Sequence, residues 1–433
     1  MFNNKIDSQM YRKTFFLIVI LLLSLPTFAQ LGIEECYEKA VANYPLVKQY
    51  GLIEQSREYN LSNAARAWLP QISLNAKASY QSDVTKIPLD FSQDPMLVNM
   101  KIEELSKDQY GVTLDVTQTL WDGGATKARS EQIKAQAAVE NEELKVNLYA
   151  VKERINQIFF GILLCDAILE QNRIFQENLQ QNFDRVKSCV GGGLVNQADL
   201  DAVKVEQIKA KQNFTQISRN RKAYLTMLSA FIGEKLDENA VLQKPEIKQT
   251  VFAENARPEL SLFNSRLAFL DAQNREINTS LMPKFNLFLT GGYGNPGLNM
   301  LKNGFTPYAI VGMRMSWNIS SFYTFKKREN QLETQRENIV TQRETFLFNS
   351  NLQATAKQND IEKYRELLAD DDEIIALRQS IKRATEKKVE SGMATVSDLI
   401  REINAEALAR QDKILHELEM LQTVYNLKFI TNN

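Results

Sequence analysis

The sequence contains one histidine, His416, only three cysteines, and a formal net charge of −1 over 433 residues. A single histidine in a regular helical stretch supplies neither a histidine-based triad nor a multi-histidine metal site, so enzymes of those kinds are excluded. Charge so close to balance argues against a nucleic-acid partner. The triple glycine Gly191-Gly192-Gly193 lacks the Lys-Ser/Thr of a phosphate loop and reads as the end of a helix. No catalytic residue, cofactor or metal is therefore expected. Breakers are scarce as well. From Ala125 to Val190 there is no proline and a single glycine, Gly161, and from Ile319 to Ser391 there is neither. Beyond the first thirty residues no apolar run is long enough to span a membrane as a helix.

What is present begins with a targeting signature. Lys5, Arg12 and Lys13 precede an apolar run from Phe15 to Leu25, and Thr27 and Ala29 stand three and one residues before Gln30. Residues 1–29 read as a cleaved signal peptide, because the run falls well short of the ~20 residues of a spanning helix. The exported chain is then either periplasmic or part of a β-barrel. In an oxidising compartment Cys36, Cys165 and Cys189 form an odd set, which leaves at least one thiol free or paired between chains. Cys165 ends the apolar run Phe159 to Cys165 and reads as a small buried residue.

The chain repeats itself. Pro45 and Pro70 recur 213 residues later as Pro258 and Pro283, and the segment from Gly193 to Leu200 recurs 199 residues later from Gly392 to Leu399. The drop in offset places an insertion in the first copy between Ser79 and Tyr110. A first unit, 30–231, and a second, 258–433, are joined by a connector, 232–257, containing Gly233 and Pro245.

Each unit carries two amphipathic strand signals, at about 71–81 and 109–120, then at about 284–293 and 308–319. Ile72, Leu74, Ala76 and Ala78 alternate with polar neighbours, as do Val112, Leu114, Val116 and Leu120. Phe285, Leu287 and Leu289, then Val311, Met313 and Met315, repeat the pattern. Lys77, Asp115 and Arg314 fall on the opposite face, so each strand has one apolar and one wet side. Strands of about ten residues match a tilted bilayer crossing. Tyr80, Tyr110, Trp121, Tyr293, Tyr308 and Trp317 lie near strand ends or within the apolar face, where an interfacial girdle would place aromatics. Four strands cannot close a barrel, and an open edge in lipid leaves backbone groups unpaired. Several copies must then share one barrel.

The remainder reads as helix. At ~1.5 Å per residue the two breaker-free stretches reach roughly 100 Å. Leu144, Leu148, Val151, Ile155, Ile158 and Ile162 recur at steps of four and three, a coiled-coil seam. Each long helix stops at a glycine turn, and a returning helix begins near Ala198 or Val396 with Asp199 or Asp398 in its first turn.

In this order the residues resemble the TolC family of outer membrane efflux proteins. The motifs are Trp68-Leu69-Pro70-Gln71 entering a strand, Leu120-Trp121-Asp122-Gly123-Gly124 leaving one, and the paired turns at Gly193 and Gly392. The resemblance implies an α+β membrane protein and a homotrimer in outer membrane lipid. Each protomer gives four strands to a twelve-stranded β-barrel, which the duplicated long-helix hairpins continue as a periplasmic α-barrel. It implies a passive exit duct of a tripartite efflux or type I secretion system. A periplasmic adaptor would open the tip, and an inner-membrane pump or transport ATPase would energise export. The interstrand loops, about 81–109 and 294–307, would face outside. Gly193, Leu194, Val195, Gly392, Met393 and Ala394 would form the adaptor-docking tip. Asp398 matches the first aspartate of the family's inner constriction, with Asp199 its counterpart in the first unit. Ala394 stands where well-known members carry a closing arginine, and Arg401 where they carry a second aspartate. The rival reading is a periplasmic helical-hairpin adaptor or binding protein without a pore. That protein needs a soluble β-domain around its hairpin, whereas here two amphipathic strand pairs are each flanked by helices.

Overall fold

A computed structural model describes residues 31–85, 105–192, 195–246 and 255–432. The expected signal peptide, Gly193, Leu194 and parts of the first interstrand loop and of the connector lie outside these residues. In chain order the elements are α1 (Ile33–Asn43), α2 (Gln49–Ala65), β1 (Gln71–Tyr80), β2 (Asp108–Trp121), α3 (Ala125–Gly191) and α4 (Gln197–Ile232). Then follow α5 (Pro258–Thr279), β3 (Lys284–Asn295), β4 (Thr306–Ser316), α6 (Ser321–Glu390) and α7 (Val396–Thr431). Two compact units interleave the repeats. One comprises residues 48–146 with 258–348 and holds the strands, and the other comprises 31–47, 147–257 and 349–432.

In the first of these units the strands form one antiparallel sheet in the order β1-β2-β3-β4. The register carries the alternation across all four strands. Ile72 pairs Val116, Val116 pairs Leu289 and Leu289 pairs Val311, while Ser73, Asp115, Thr290 and Ile310 form the next row on the other face. Asp115 anchors that second face, accepting hydrogen bonds from Asn75 (2.9 Å), Thr113 (3.0 Å) and Thr290 (2.5 Å). Leu74 and Val311 on the first face are more than 70 % exposed. Two details depart from simple alternation. A register shift between Thr119 and Trp121 removes Leu120 from the paired series and sets Trp121 opposite Phe285. Tyr308 lies on the Asp115 face over Gly292, where a Cβ would sit 2.2 Å from the ring.

The turn from β2 into α3 explains the Trp-Asp-Gly-Gly motif. Gly123 and Gly124 have φ of +71° and +85°, a region costly for residues with a Cβ. Buried Asp122 accepts from the backbone N–H of Gly124 (2.8 Å) and Thr126 (2.7 Å), satisfying donors that a helix start leaves open.

In the second unit the coiled-coil seam does its expected packing. Val151, Ile155, Ile158 and Ile162 of α3 join Cys36 and Ala40 of α1, Leu225 and Leu228 of α4, and Leu418 and Leu421 of α7 in one core. Smaller clusters continue along the hairpins: Leu179, Ala210, Leu399 and Ile403, then Val186, Val203 and Val396. All three cysteines are free thiols, with Cys36 and Cys165 buried and Cys189 half-exposed. Among the described residues no helix is long and apolar enough to cross a membrane.

Candidate functional site

The candidate site is the pair of hairpin turns in the second unit. At the second turn, Gly392 takes φ +70°, and the N–H groups of Met393 and Ala394 both donate to the Lys388 carbonyl, at 2.8 and 3.2 Å. This closes α6 with the left-handed glycine cap that suits a helix end. A Cβ on Gly392 would meet nothing within 4 Å, so backbone conformation, and not space, selects glycine there. Thr395 then opens α7 with a reciprocal cap. Its hydroxyl accepts from the Asp398 N–H (3.1 Å), and the Asp398 carboxylate accepts from the Thr395 N–H (3.1 Å) and hydroxyl (2.7 Å).

The first turn is built alike. Asn196 accepts from the Asp199 N–H at 3.0 Å, and Asp199 accepts from the Asn196 N–H at 3.2 Å. Both aspartates singled out from the sequence therefore stand at the third helical position of a capping box. Val195, one of the residues expected at the docking tip, is half-buried beside the Val186–Val203–Val396 cluster, as are Leu200 and Ile400. This cluster draws on both turns and holds them side by side. Met393 is 76 % exposed, while Ala394 is half-buried.

Charge at the second turn is balanced within the chain. The Thr395 hydroxyl and backbone, with Arg401 nearby, hold the Asp398 carboxyl below the usual aspartate value. Arg401 lies 3.4 Å from Asp398 and 3.4 Å from Glu402. Glu402 in turn faces Arg378 of α6 at 3.4 Å. One turn on, buried Glu406 meets Lys382 (2.6 Å) and Arg410 (2.8 Å). Burial opposes ionisation of Glu406, yet the two cations outweigh it and hold its carboxyl below the usual value. His416 is absorbed into the same α6–α7 seam, its Nδ1 2.8 Å from the buried Asp371 carboxylate.

Sequence reasoning did not single out Arg185, Glu386 and Glu390. Arg185 of α3 lies 4.0 Å from Glu386 and 3.8 Å from Glu390 of α6, a charged link between the two hairpins. These residues are ordinary members of charged helix faces, and only the folded proximity of the repeats marks them. The acidic residues of α7 did leave a signal, since Asp398, Glu402 and Glu406 recur at steps of four.

The sequence profile of the outer membrane efflux protein family matches residues 36–234. No curated protein matches the chain. Solved structures that resemble it over most of its length include three outer membrane proteins. VceC, an outer membrane protein of Vibrio cholerae, is 13 % identical with a TM-score of 0.64, over 92 % of this chain and 95 % of that one. The CmeC outer membrane channel of Campylobacter jejuni is 12 % identical with a TM-score of 0.65, over 93 % and 86 %. The MtrE outer membrane channel of Neisseria gonorrhoeae, in its open state, is 12 % identical with a TM-score of 0.65, over 93 % and 89 %. At such identity the likeness is one of fold. Together with the family match it upholds the resemblance to TolC-like outer membrane efflux proteins.

Proposed function

We propose that this chain, a TolC-like outer membrane efflux protein by family match and fold, is one protomer of a shared outer membrane duct. The single observation that carries the reading is the sheet. It has an exposed apolar face on all four strands, an Asp115-anchored polar face behind it, and, among the described residues, no strand beyond β1 or β4. Such a sheet leaves its edge groups unpaired and its apolar residues wet unless other copies complete it in lipid. Apolar residues outward and polar residues inward is the arrangement of a barrel around an aqueous lumen. In this reading three copies build a twelve-stranded barrel, and the hairpins continue it as a periplasmic tunnel. Fractionation tests the placement. Heat-sensitive oligomers in the outer membrane are expected, and release with soluble periplasmic protein would sink the proposal.

The turns form the periplasmic tip in this reading, with Met393 and its neighbours offered to an adaptor protein that couples the duct to an inner-membrane pump. Asp398 and Arg401 form the constriction, Asp199 supporting the first turn beside them. Because Arg401 already faces Asp398 in the same chain, a ring of these residues binds cations weakly compared with a doubly acidic one. In planar-bilayer recordings Asp398→Ala should weaken block by multivalent cations, and Arg401→Asp should strengthen it. Unchanged block in Asp398→Ala would reduce Asp398 to a helix-start residue. Since the folded Asp398 value is depressed, its charge and its cap are present above the unfolded value of about 4. They are lost only as pH falls through the lower folded value, so block should persist below pH of about 4.

A further inference from the structure

The apolar face of the sheet does not stop where the strands stop. Between β3 and β4 the chain runs Pro296-Gly297-Leu298-Asn299-Met300-Leu301-Lys302-Asn303-Gly304-Phe305. Leu298, Met300, Leu301 and Phe305 are 52–61 % exposed, four large apolar side chains on one short loop. An exposed apolar patch of this kind marks a contact surface.

Two ties show to which side of the sheet the loop is held. The Phe305 ring stacks on Tyr293 with centroids 5.5 Å apart. Tyr293 pairs Val112 and Val112 pairs Ala76, so Tyr293 stands on the apolar face that Leu289 shares. Asn295, opposite Tyr110 in the same register, accepts from the Gly304 N–H at 3.0 Å. Tyr80 and Tyr110 lie on that face at the same end of the sheet, both at least half exposed. With Tyr293 they make a group of aromatics suited to the boundary between acyl chains and headgroups. The loop is therefore anchored to the apolar side, away from the polar face around Asp115.

Much of its polar backbone is satisfied locally. The Asn299 side-chain carbonyl accepts from the Leu301 N–H at 3.0 Å, and the Asn299 backbone carbonyl accepts from the Lys302 N–H at 3.3 Å. Asn303 accepts from the Ser106 N–H at 3.4 Å, tying the loop to the chain ahead of β2. Backbone groups paired in this way cost less to remove from water. Between these anchors Lys302 is exposed and forms no ion pair among the described residues.

We propose that the β3–β4 loop is a wedge seated in the outer leaflet of the membrane. Leu298, Met300, Leu301 and Phe305 lie at the acyl-chain boundary, and Lys302 reaches the phosphate of a lipid headgroup, as cationic side chains do at an interface. The proposal rests on the duct reading, which puts the apolar face in lipid and this end of the sheet outermost. A loop bent over the mouth of the barrel would have to give up its ties to Tyr293 and Asn295.

The test uses the full chain carrying Cys189→Ser, reconstituted in vesicles of phosphatidylcholine with phosphatidylglycerol, with a nitroxide on Leu301→Cys. Leu289→Cys on the apolar face and Lys77→Cys on the polar face serve as references, and the chain without a new cysteine sets the background. Collisions with oxygen, which concentrates among acyl chains, are compared with collisions with a water-soluble nickel complex. The oxygen-to-nickel ratio for Leu301→Cys should approach that for Leu289→Cys and exceed that for Lys77→Cys several-fold. Adding Lys302→Glu should lower the ratio, and by more in these vesicles than in phosphatidylcholine alone, because anionic headgroups then repel the loop. A nickel-accessible label on Leu301→Cys beside an oxygen-accessible one on Leu289→Cys would overturn the wedge and leave the duct standing. A label on Leu301→Cys shielded from both reagents would overturn it too, by placing the loop against protein. A ratio that Lys302→Glu leaves unaltered, or alters equally in both vesicles, would overturn the phosphate contact. A nickel-accessible label on Leu289→Cys would overturn the duct reading and the wedge with it.

Discussion

At the scale of residues, the tip is governed by caps and local charge balance. Asp199 and Asp398 were legible in the sequence as acidic residues of a helix's first turn, because the dipole and the open N–H groups favour them there. Their reciprocal bonds to Asn196 and Thr395 follow from the same spacing. Arg185 and its partners Glu386 and Glu390 were not legible, since that link joins residues more than 200 positions apart in the chain. The cysteines give a prediction at this scale. Burial, with Glu35 adding to it, pushes the Cys36 thiol up to about 12 from an ordinary 9.0, and Cys165 is raised by burial as well. At neutral pH a maleimide reagent should therefore modify Cys189 alone in the folded chain and all three thiols after denaturation. Rapid labelling of Cys36 in the folded protein would contradict its place in the core. The linkage has a definite sign: stability from the neutral buried thiol is fully present below the unfolded value near 9.0. It is lost as pH rises towards about 12.

At the scale of elements, the strands were the most legible part of the chain, because a period of two admits one arrangement of faces. The alternation around Leu74, Leu114, Leu289 and Val311 specifies the row-by-row register in which these residues share one side. What periodicity could not reveal was the shift at Thr119–Trp121 and the placement of Tyr308 on the polar face. Both depend on neighbours across the sheet: the pairing of Trp121 with Phe285, and the missing side chain at Gly292. Adjacent residues of β3 make a test of the faces. Leu289→Lys puts a cation on the proposed lipid face, costing roughly 2–4 kcal/mol near the bilayer midplane, and should cut the amount of oligomer in the outer membrane sharply. Thr290→Lys, beside Asp115 on the proposed lumen side, should assemble normally and change only ion selectivity. Equal damage from both would show that the two faces share one environment. The helices were legible from missing breakers and from the Val151–Ile155–Ile158–Ile162 seam, whose residues lie in the main core.

At the scale of the whole molecule, the account turns on incompleteness. In the proposed function, a four-stranded sheet with two open edges among the described residues and an uncovered apolar face is one share of a larger object. The need for more than one copy followed from strand count and the cost of unpaired edges in lipid. The number three came with the family resemblance, since neither strand length nor helix periodicity fixes how many copies close a ring. The mass of the particle extracted from outer membranes in mild detergent, measured by light scattering with the detergent subtracted, tests this most directly. The account predicts three chains per particle, falling to one on heating, whereas a particle of one chain before heating would contradict it.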